Sequence, residues 1–173
     1  MIETARVKIR PIRLVDKKSV FHYRSDTNTN KYQSWIPQSV EEVEDFIRRN
    51  PPSFDEPGTW FQLVIFLKET KEVIGDIGVH FIDDYQCELG CTLSKEYHRK
   101  GLAYESLKSL INHLFKMLKK HRIQASMDPE NVASIHLFEK LKFRKEAHFI
   151  KSFLNKGKWY DDVIYAMLDE DWK

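Results

Sequence analysis

The chain predicts a single mixed α/β domain, residues 1–173, around a largely antiparallel sheet, and three stretches carry that prediction. Thr59 to Leu67 and Glu72 to Phe81 are two β-rich runs joined by the polar Lys68 to Lys71, the pattern of a hairpin. Leu89 to Leu93 reads as a third strand, which enters a tight basic turn and then the amphipathic helix of the stretch Glu96 to Lys120; Ile123 to Met127 is a strand again. A helix joining two strands of one sheet makes their pairing parallel, so one parallel pair is expected.

The remaining elements follow in order. Val7 and Ile9 alternate with Lys8 and Arg10 in a half-buried strand that ends at Pro11, and Asp16 is placed to cap a helix containing Val20, Phe21 and Tyr23. Asp26 to Pro37 is polar and aromatic without a clear period, a long loop carrying Tyr32 and Trp35. Ser39 and Glu42 form a capping box ahead of Val43, Phe46 and Ile47, so a helix starts near Val40, and the three prolines within Asn50 to Gly58 end it. Asp83 and Asp84 make a turn.

In the central helix Ala103, Leu107, Leu110, Ile111, Leu114, Phe115 and Leu118 recur at three and four residues, while Glu105, Lys108, Asn112 and Lys116 face water. Lys119, Lys120 and His121 read as cations in its last turn, where the helix dipole favours them. Asp128 to Asn131 form the exit turn of the next strand, and Ala133, Leu137, Phe138 and Leu141 mark a short helix with Asn131 as a candidate N-cap. From Arg144 the chain alternates through Ala147, Phe149 and Phe153, turns at Asn155 to Gly157, and returns along Val163, Tyr165 and Met167 as a closing hairpin.

Composition narrows the function classes. With 173 residues, 42% of them hydrophobic, the chain is long enough to bury roughly 70% of its unfolded surface in one core. Its longest apolar run, Leu63 to Leu67, is far too short to cross a bilayer, and MIETARVKIR lacks the apolar stretch of a signal peptide, so a cytoplasmic protein without membrane attachment is expected. A net charge of +2 with no block of like charges gives no support to nucleic-acid binding. Cys87 and Cys91 share one strand face but lack a nearby His or further Cys, so reduced thiols and no metal are expected.

The turn before the central helix is chemically suggestive. A helix start offers unpaired N–H groups and partial positive charge, and Gly101 removes the side chain that would hold a ligand away from them. Arg99 and Lys100 add two cations suited to phosphate oxygens. A glycine and two basic residues also open many helices that bind nothing, so a phosphate seat and an ordinary helix start both stand.

Three stretches together resemble the GNAT superfamily of acyl-CoA-dependent N-acetyltransferases, and within it the RimJ/RimL-like branch. ELGCTLSKEYHRKGLAYESL is similar to that family's strand, pyrophosphate loop and helix, SMDPENVASIHLFEKLKF to the following strand and helix, and GKWYDDVIYAML to the final hairpin. The resemblance implies a twisted sheet with helices on both faces and the parallel pair at an acetyl-CoA site. The family's loop has Gln or Arg, two residues, Gly, one residue, then Gly or Ala; here His98 stands first, Gly101 and Ala103 match, Arg99 replaces a second glycine, and Lys142 replaces the glycine of a usual LGF.

What the resemblance implies for the site extends to named residues. Backbone around Cys91, Thr92 and Leu93 would follow the pantetheine arm, and His98, Arg99, Lys100, Gly101, Leu102, Ala103 and Tyr104 would hold the diphosphate. Asn131 would bond the pantetheine amides. Ser134 stands where this branch places a hydroxyl that can serve the leaving thiolate, while Phe138 occupies the position where many relatives have a catalytic Tyr. Glu88, at the entrance of the strand that feeds the loop, is the candidate base, with a solvated edge carboxylate as the alternative; His80 is a weaker candidate. Tyr32 and Trp35 either line the acceptor pocket or plug the sheet edge. The implied partners are acetyl-CoA and an amine acceptor, a protein N-terminus or a small molecule. A homodimer is allowed, and a catalytically weak CoA-binding regulatory module is the rival.

Overall fold

The computed structural model describes residues 1–173. One eight-stranded mixed sheet contains β1 (Ile2–Glu3), β2 (Val7–Pro11), β3 (Thr59–Leu67), β4 (Glu72–Phe81), β5 (Gln86–Leu93), β6 (Arg122–Met127), β7 (Arg144–Asn155) and β8 (Lys158–Leu168), in the order β1-β2-β3-β4-β5-β6-β8-β7. The helices are α1 (Lys17–Arg24), α2 (Val40–Arg48), α3 (Leu102–Lys116) and α4 (Val132–Lys140). Only β5 and β6 pair in parallel, as a crossover through α3 requires. The β3–β4 hairpin spans the predicted residues, with Thr59 opposite Phe81. β1, two residues long, is too short to show a period and was not anticipated.

Alternation along β3 splits the core between two faces. Leu63, Ile65 and Leu67 join Leu107, Leu110, Ile111 and Leu114 of α3 and Phe138 of α4 in the larger cluster, whereas Val64 faces Val20, Tyr23, Val43 and Ile47 of α1 and α2. Each such buried aliphatic side chain contributes roughly 1.5–3 kcal/mol, which is what holds helices on both faces of the sheet.

Some local expectations change. Asp16 does not cap α1, because a 3-10 turn, Leu14–Asp16, intervenes; its carboxylate instead accepts from Arg10 at 2.8 and 2.7 Å and from the Arg13 N–H. Ser39 does cap α2, accepting from the Glu42 N–H, but Glu42 returns its bond to Gln38 rather than to Ser39. α3 ends at Lys116, so Lys119, Lys120 and His121 are not its last turn. Lys119 turns the chain at φ 57°, His121 pairs with Asp169, and Lys120 is buried beneath the sheet end.

Two departures from the glycine pattern keep the glycine conformation. Arg99 has φ 60° and Lys142 φ 70°, both left-handed. The turn after α4 therefore survives Lys142, with Phe143 N–H reaching the Phe138 carbonyl at 3.0 Å.

Candidate active site

The parallel ladder between β5 and β6 runs from Gln86 opposite Arg122 to Glu88 opposite Gln124 and stops there. Both strands continue: β5 stays paired to β4 as far as Leu93, and β6 to β8 as far as Met127. They part, and the β6-facing backbone edge of Leu89 to Leu93 is left without a strand partner. An unpaired edge of this kind accepts an extended, amide-bearing chain.

A cavity of about 680 Å³ opens over this gap on the α1/α2 face, of a size suited to a small ligand. Because side chains alternate, Glu88, Gly90 and Thr92 of β5 present to it together with Trp60, Gln62 and Gly78 from β3 and β4. A Cβ added at Gly90 would meet nothing within 4 Å, so the strand is bare two residues beyond the point where the ladder ends. Ser126, Met127 and Asp128 form the opposite bank.

Glu88 sits at the apex of the gap, its Oε2 accepting from Gln124 Nε2 at 2.7 Å. His80, opposite Glu88 on β4, stacks on Trp60 with centroids 4.9 Å apart. Tyr32 and Trp35 both line the cavity. The Tyr32 hydroxyl donates to the Glu130 carbonyl at 3.0 Å, tying the α1–α2 loop to the turn after β6, and Trp35 stacks on Phe46 at 4.5 Å with the Arg24 guanidinium 5.4 Å above its ring. The rings thus cover the cavity and anchor its rim.

Arg24 and Asp76, together with the Trp60 ring, are the components that local sequence reading missed. Asp76 lies 1% exposed on β4 and accepts from Arg24 Nε at 2.8 Å and from the Tyr23 hydroxyl at 2.8 Å. Burial disfavours the Arg24 charge, but Asp76 outweighs it and raises the pKa; burial and the Asp76 charge push Tyr23 well above its usual range. The pair fixes the Arg24 guanidinium in the cavity wall. Burial also pushes the Cys91 thiol up to about 12, with Asp76 adding to the shift, and the Cys87 thiol up to about 12. Neither cysteine is a thiolate at neutral pH.

At the end of β5 the chain makes a second site. The N–H groups of the six residues Arg99 to Tyr104 have no acceptor in the protein, two more than a helix start normally leaves free. Arg99 and Gly101 are both left-handed, at φ 60° and 74°, a backbone setting in which successive N–H groups can converge on an anion. His98 donates from Nε2 to the Leu93 carbonyl at 2.8 Å, closing the loop onto the strand end. Leu102 is buried, so only its backbone is available, and Ala103 is half-buried. Lys100 Nζ lies 5.2 Å over the Tyr97 ring, and Tyr104 lines a shallow depression beside Gly101.

The α4 residues stand apart from the cavity. Asn131 is the N-cap, accepting from the Ser134 N–H at 3.3 Å; the Ser134 hydroxyl bonds nothing in the protein. Phe138 is buried, edge-on to Phe143 at 5.1 Å. No group of three or more His, Cys, Asp or Glu side chains could hold a metal, and no helix is long and apolar enough to cross a membrane.

Comparison with known proteins gives the family. Residues 6–144 match the family model described as Acetyltransferase (GNAT) domain. The chain is 30% identical to the uncharacterized N-acetyltransferase YnaD of Bacillus subtilis (strain 168) over 175 residues, covering 99% of this chain and 98% of that one. It is also 30% identical over 122 residues to the [Ribosomal protein uS5]-alanine N-acetyltransferase of Escherichia coli (strain K12), covering 69% and 63%. A crystal structure of a GNAT-family acetyltransferase from Bacillus anthracis superposes with a TM-score of 0.89 at 28% identity, covering 98% of each chain. A parted parallel pair, a free N–H run at the end of its first strand, a family model spanning most of the chain and a full-length relative give one conclusion: the chain belongs to the GNAT acetyltransferase family and is an N-acetyltransferase.

Proposed function

We propose that this N-acetyltransferase moves the acetyl group of acetyl-CoA to a primary amine by direct attack in a ternary complex in the cytoplasm, within one domain of residues 1–173. The observation that carries the reading is the succession of two features along the chain: an unpaired β5 edge beside the cavity and, beyond a 3-10 turn at Lys95–Tyr97, the six free N–H groups of Arg99 to Tyr104. The first fits the amides of a pantetheine arm and the second a diphosphate. Acetyl-CoA supplies the activated acetyl thioester; the protein supplies placement and proton handling.

Backbone N–H groups at Cys91 to Leu93 steady the charge that develops on the thioester oxygen. Glu88, at the apex of the gap, takes the amine proton through water, and Gln124 fixes its orientation. Asn131, whose Nδ2 is free, meets the arm, and Phe138 backs it from the core. The uncharged Cys91 and Cys87 leave no protein nucleophile on the strand, which favours direct attack by the amine over an acyl-enzyme. The acceptor is a protein N-terminal amine or a small-molecule amine. Likeness to the RimJ/RimL-like branch and to the uS5-alanine enzyme favours the former. Thiol release with a panel of peptide and small amines tests the reading; CoA binding without release for any amine would point to a regulatory module.

Ser134 provides the leaving-group test. CoA thiol has a pKa of roughly 8.5, so its thiolate needs only partial help. Ser134→Ala is expected to lower kcat about ten- to a hundredfold with little change in acetyl-CoA KM. Because Asn131 is the cap, stability should hold, and a wild-type kcat with chemistry rate-limiting would hand the proton to solvent. On the acceptor side, Trp35→Ala should raise the acceptor KM far more than the acetyl-CoA KM; equal changes would reduce the ring to packing against Phe46.

A further inference from the structure

Arg6, in the turn between β1 and β2, holds the anion-binding turn from outside. Its Nη1 donates to the Lys100 carbonyl at 3.0 Å, while Nε and Nη2 both lie 2.6 Å from Glu105 Oε2 in the first turn of α3. Glu105 also accepts from the Arg6 N–H at 3.1 Å and from the Thr4 hydroxyl. A Cβ at Gly101 would stand 3.5 Å from Arg6 Nη2, which places the guanidinium directly against the turn.

We infer that Arg6 is a positioning residue for acetyl-CoA, acting through the Lys100 carbonyl and through Glu105; this rests on the assignment of the Arg99 to Tyr104 turn as the diphosphate seat. The carbonyl of Lys100 and the N–H of Gly101 belong to one trans peptide plane and point in opposite directions. Pinning the carbonyl toward Arg6 therefore aims the Gly101 N–H away from the guanidinium. Without that bond, the peptide is free to rotate and present its oxygen to the phosphates. Arg6 also neutralises Glu105, whose carboxylate would otherwise stand uncompensated at the helix end that receives a dianionic group. A lysine at position 6 has no planar fork and does not serve a carbonyl and a carboxylate together.

The experiment compares wild type, Arg6→Ala, Arg6→Lys and the double variant Arg6→Ala/Glu105→Gln by steady-state kinetics and by CoA thermal shift. Arg6→Ala is expected to raise the acetyl-CoA KM about ten- to a hundredfold, the range set by loss of one charge-assisted hydrogen bond, with kcat and acceptor KM unchanged. Glu105→Gln added to it should recover part of the affinity, whereas Arg6→Lys should recover little. An acetyl-CoA KM left at the wild-type value, or equal losses in kcat and both KM values, overturns the role of Arg6. Wild-type protein that shows no thermal shift with millimolar CoA overturns the diphosphate seat itself, and the inference with it; a wild-type shift retained in full by Arg6→Ala removes the inference alone.

Discussion

Replacing Gly101 by glutamate is expected to lower CoA affinity by about a hundredfold or more while the far-ultraviolet circular dichroism stays that of the wild type. The new carboxylate would stand among the free N–H groups of Arg99 to Tyr104, where the diphosphate is assigned. Two like charges about 4 Å apart repel by roughly 4 kcal/mol near a protein surface, and partial screening still leaves two orders of magnitude in affinity. Packing is no obstacle, since a Cβ at Gly101 meets only the Arg6 guanidinium within 4 Å. Strain is present: at φ 74° a side chain costs about 1–2 kcal/mol. Gly101→Ala carries that strain without the charge and separates the two effects, with an affinity loss of no more than about tenfold. Titration calorimetry with CoA reads both variants, and a Gly101→Glu protein that binds CoA like wild type would move the phosphate site elsewhere.

The parts of this molecule that local pattern made legible are those whose signal repeats within a few residues. The β3–β4 hairpin, the α3 stripe and the start of α2 at Val40 follow from alternation, three-and-four spacing and a Ser cap. The turn at Gly101 was legible only in part, because a glycine and two cations also open helices that bind nothing, and it is the order of three matching stretches along the chain that sets it apart. What failed was long-range charge pairing. Asp16 looked like a cap for α1 because nothing in its own segment shows that Arg10 would claim both carboxylate oxygens. The Arg24–Asp76 pair joins residues far apart in the chain, one at a helix end and one mid-strand, and no spacing rule connects them. In sequence Trp60 is one more strand residue, although the hairpin register is what puts it on His80 and over the cavity.

The site divides along the same line. His98 to Tyr104 form one continuous turn, so their grouping was assured by sequence adjacency. Glu88, Trp35 and Tyr32 come together only through the sheet order and the α1–α2 loop, and of these the Tyr32 contact to Glu130 could not have been anticipated. Ser134 and its N-cap Asn131 lie outside the cavity lining, with the Asn131 cap local and legible, and the free Ser134 hydroxyl visible only in three dimensions.

Lys120 is the residue whose reading changed most, and its removal should have the largest effect on stability. Instead of facing the α3 dipole, it is 1% exposed, paired with Asp55, donating to the Asp84 carbonyl at 2.8 Å and lying 5.2 Å over the Phe81 ring. Three chain segments meet there: the Asn50 to Gly58 loop, the β4–β5 turn and the exit from α3. Lys120→Met keeps most of the apolar stem but leaves the Asp55 carboxylate and the Asp84 carbonyl unserved. Breaking a buried ion pair costs about 3–5 kcal/mol, and because the Asp55 side chain is 30% exposed the lower end applies, about 3 kcal/mol. For a chain of this size that is a fall in Tm of about 6–12 °C and a large share of a total stability of roughly 5–15 kcal/mol. Asp55→Asn should cost less, since the Asn oxygen and the Asp83 and Asp84 carbonyls, the last two at 3.4 and 2.8 Å, still accept from Lys120, and adding it to Lys120→Met should recover part of the loss by removing the stranded charge. Urea unfolding of the three variants measures this cycle; a Lys120→Met protein within about 0.5 kcal/mol of wild type would mean that the buried ammonium does no more than fill space.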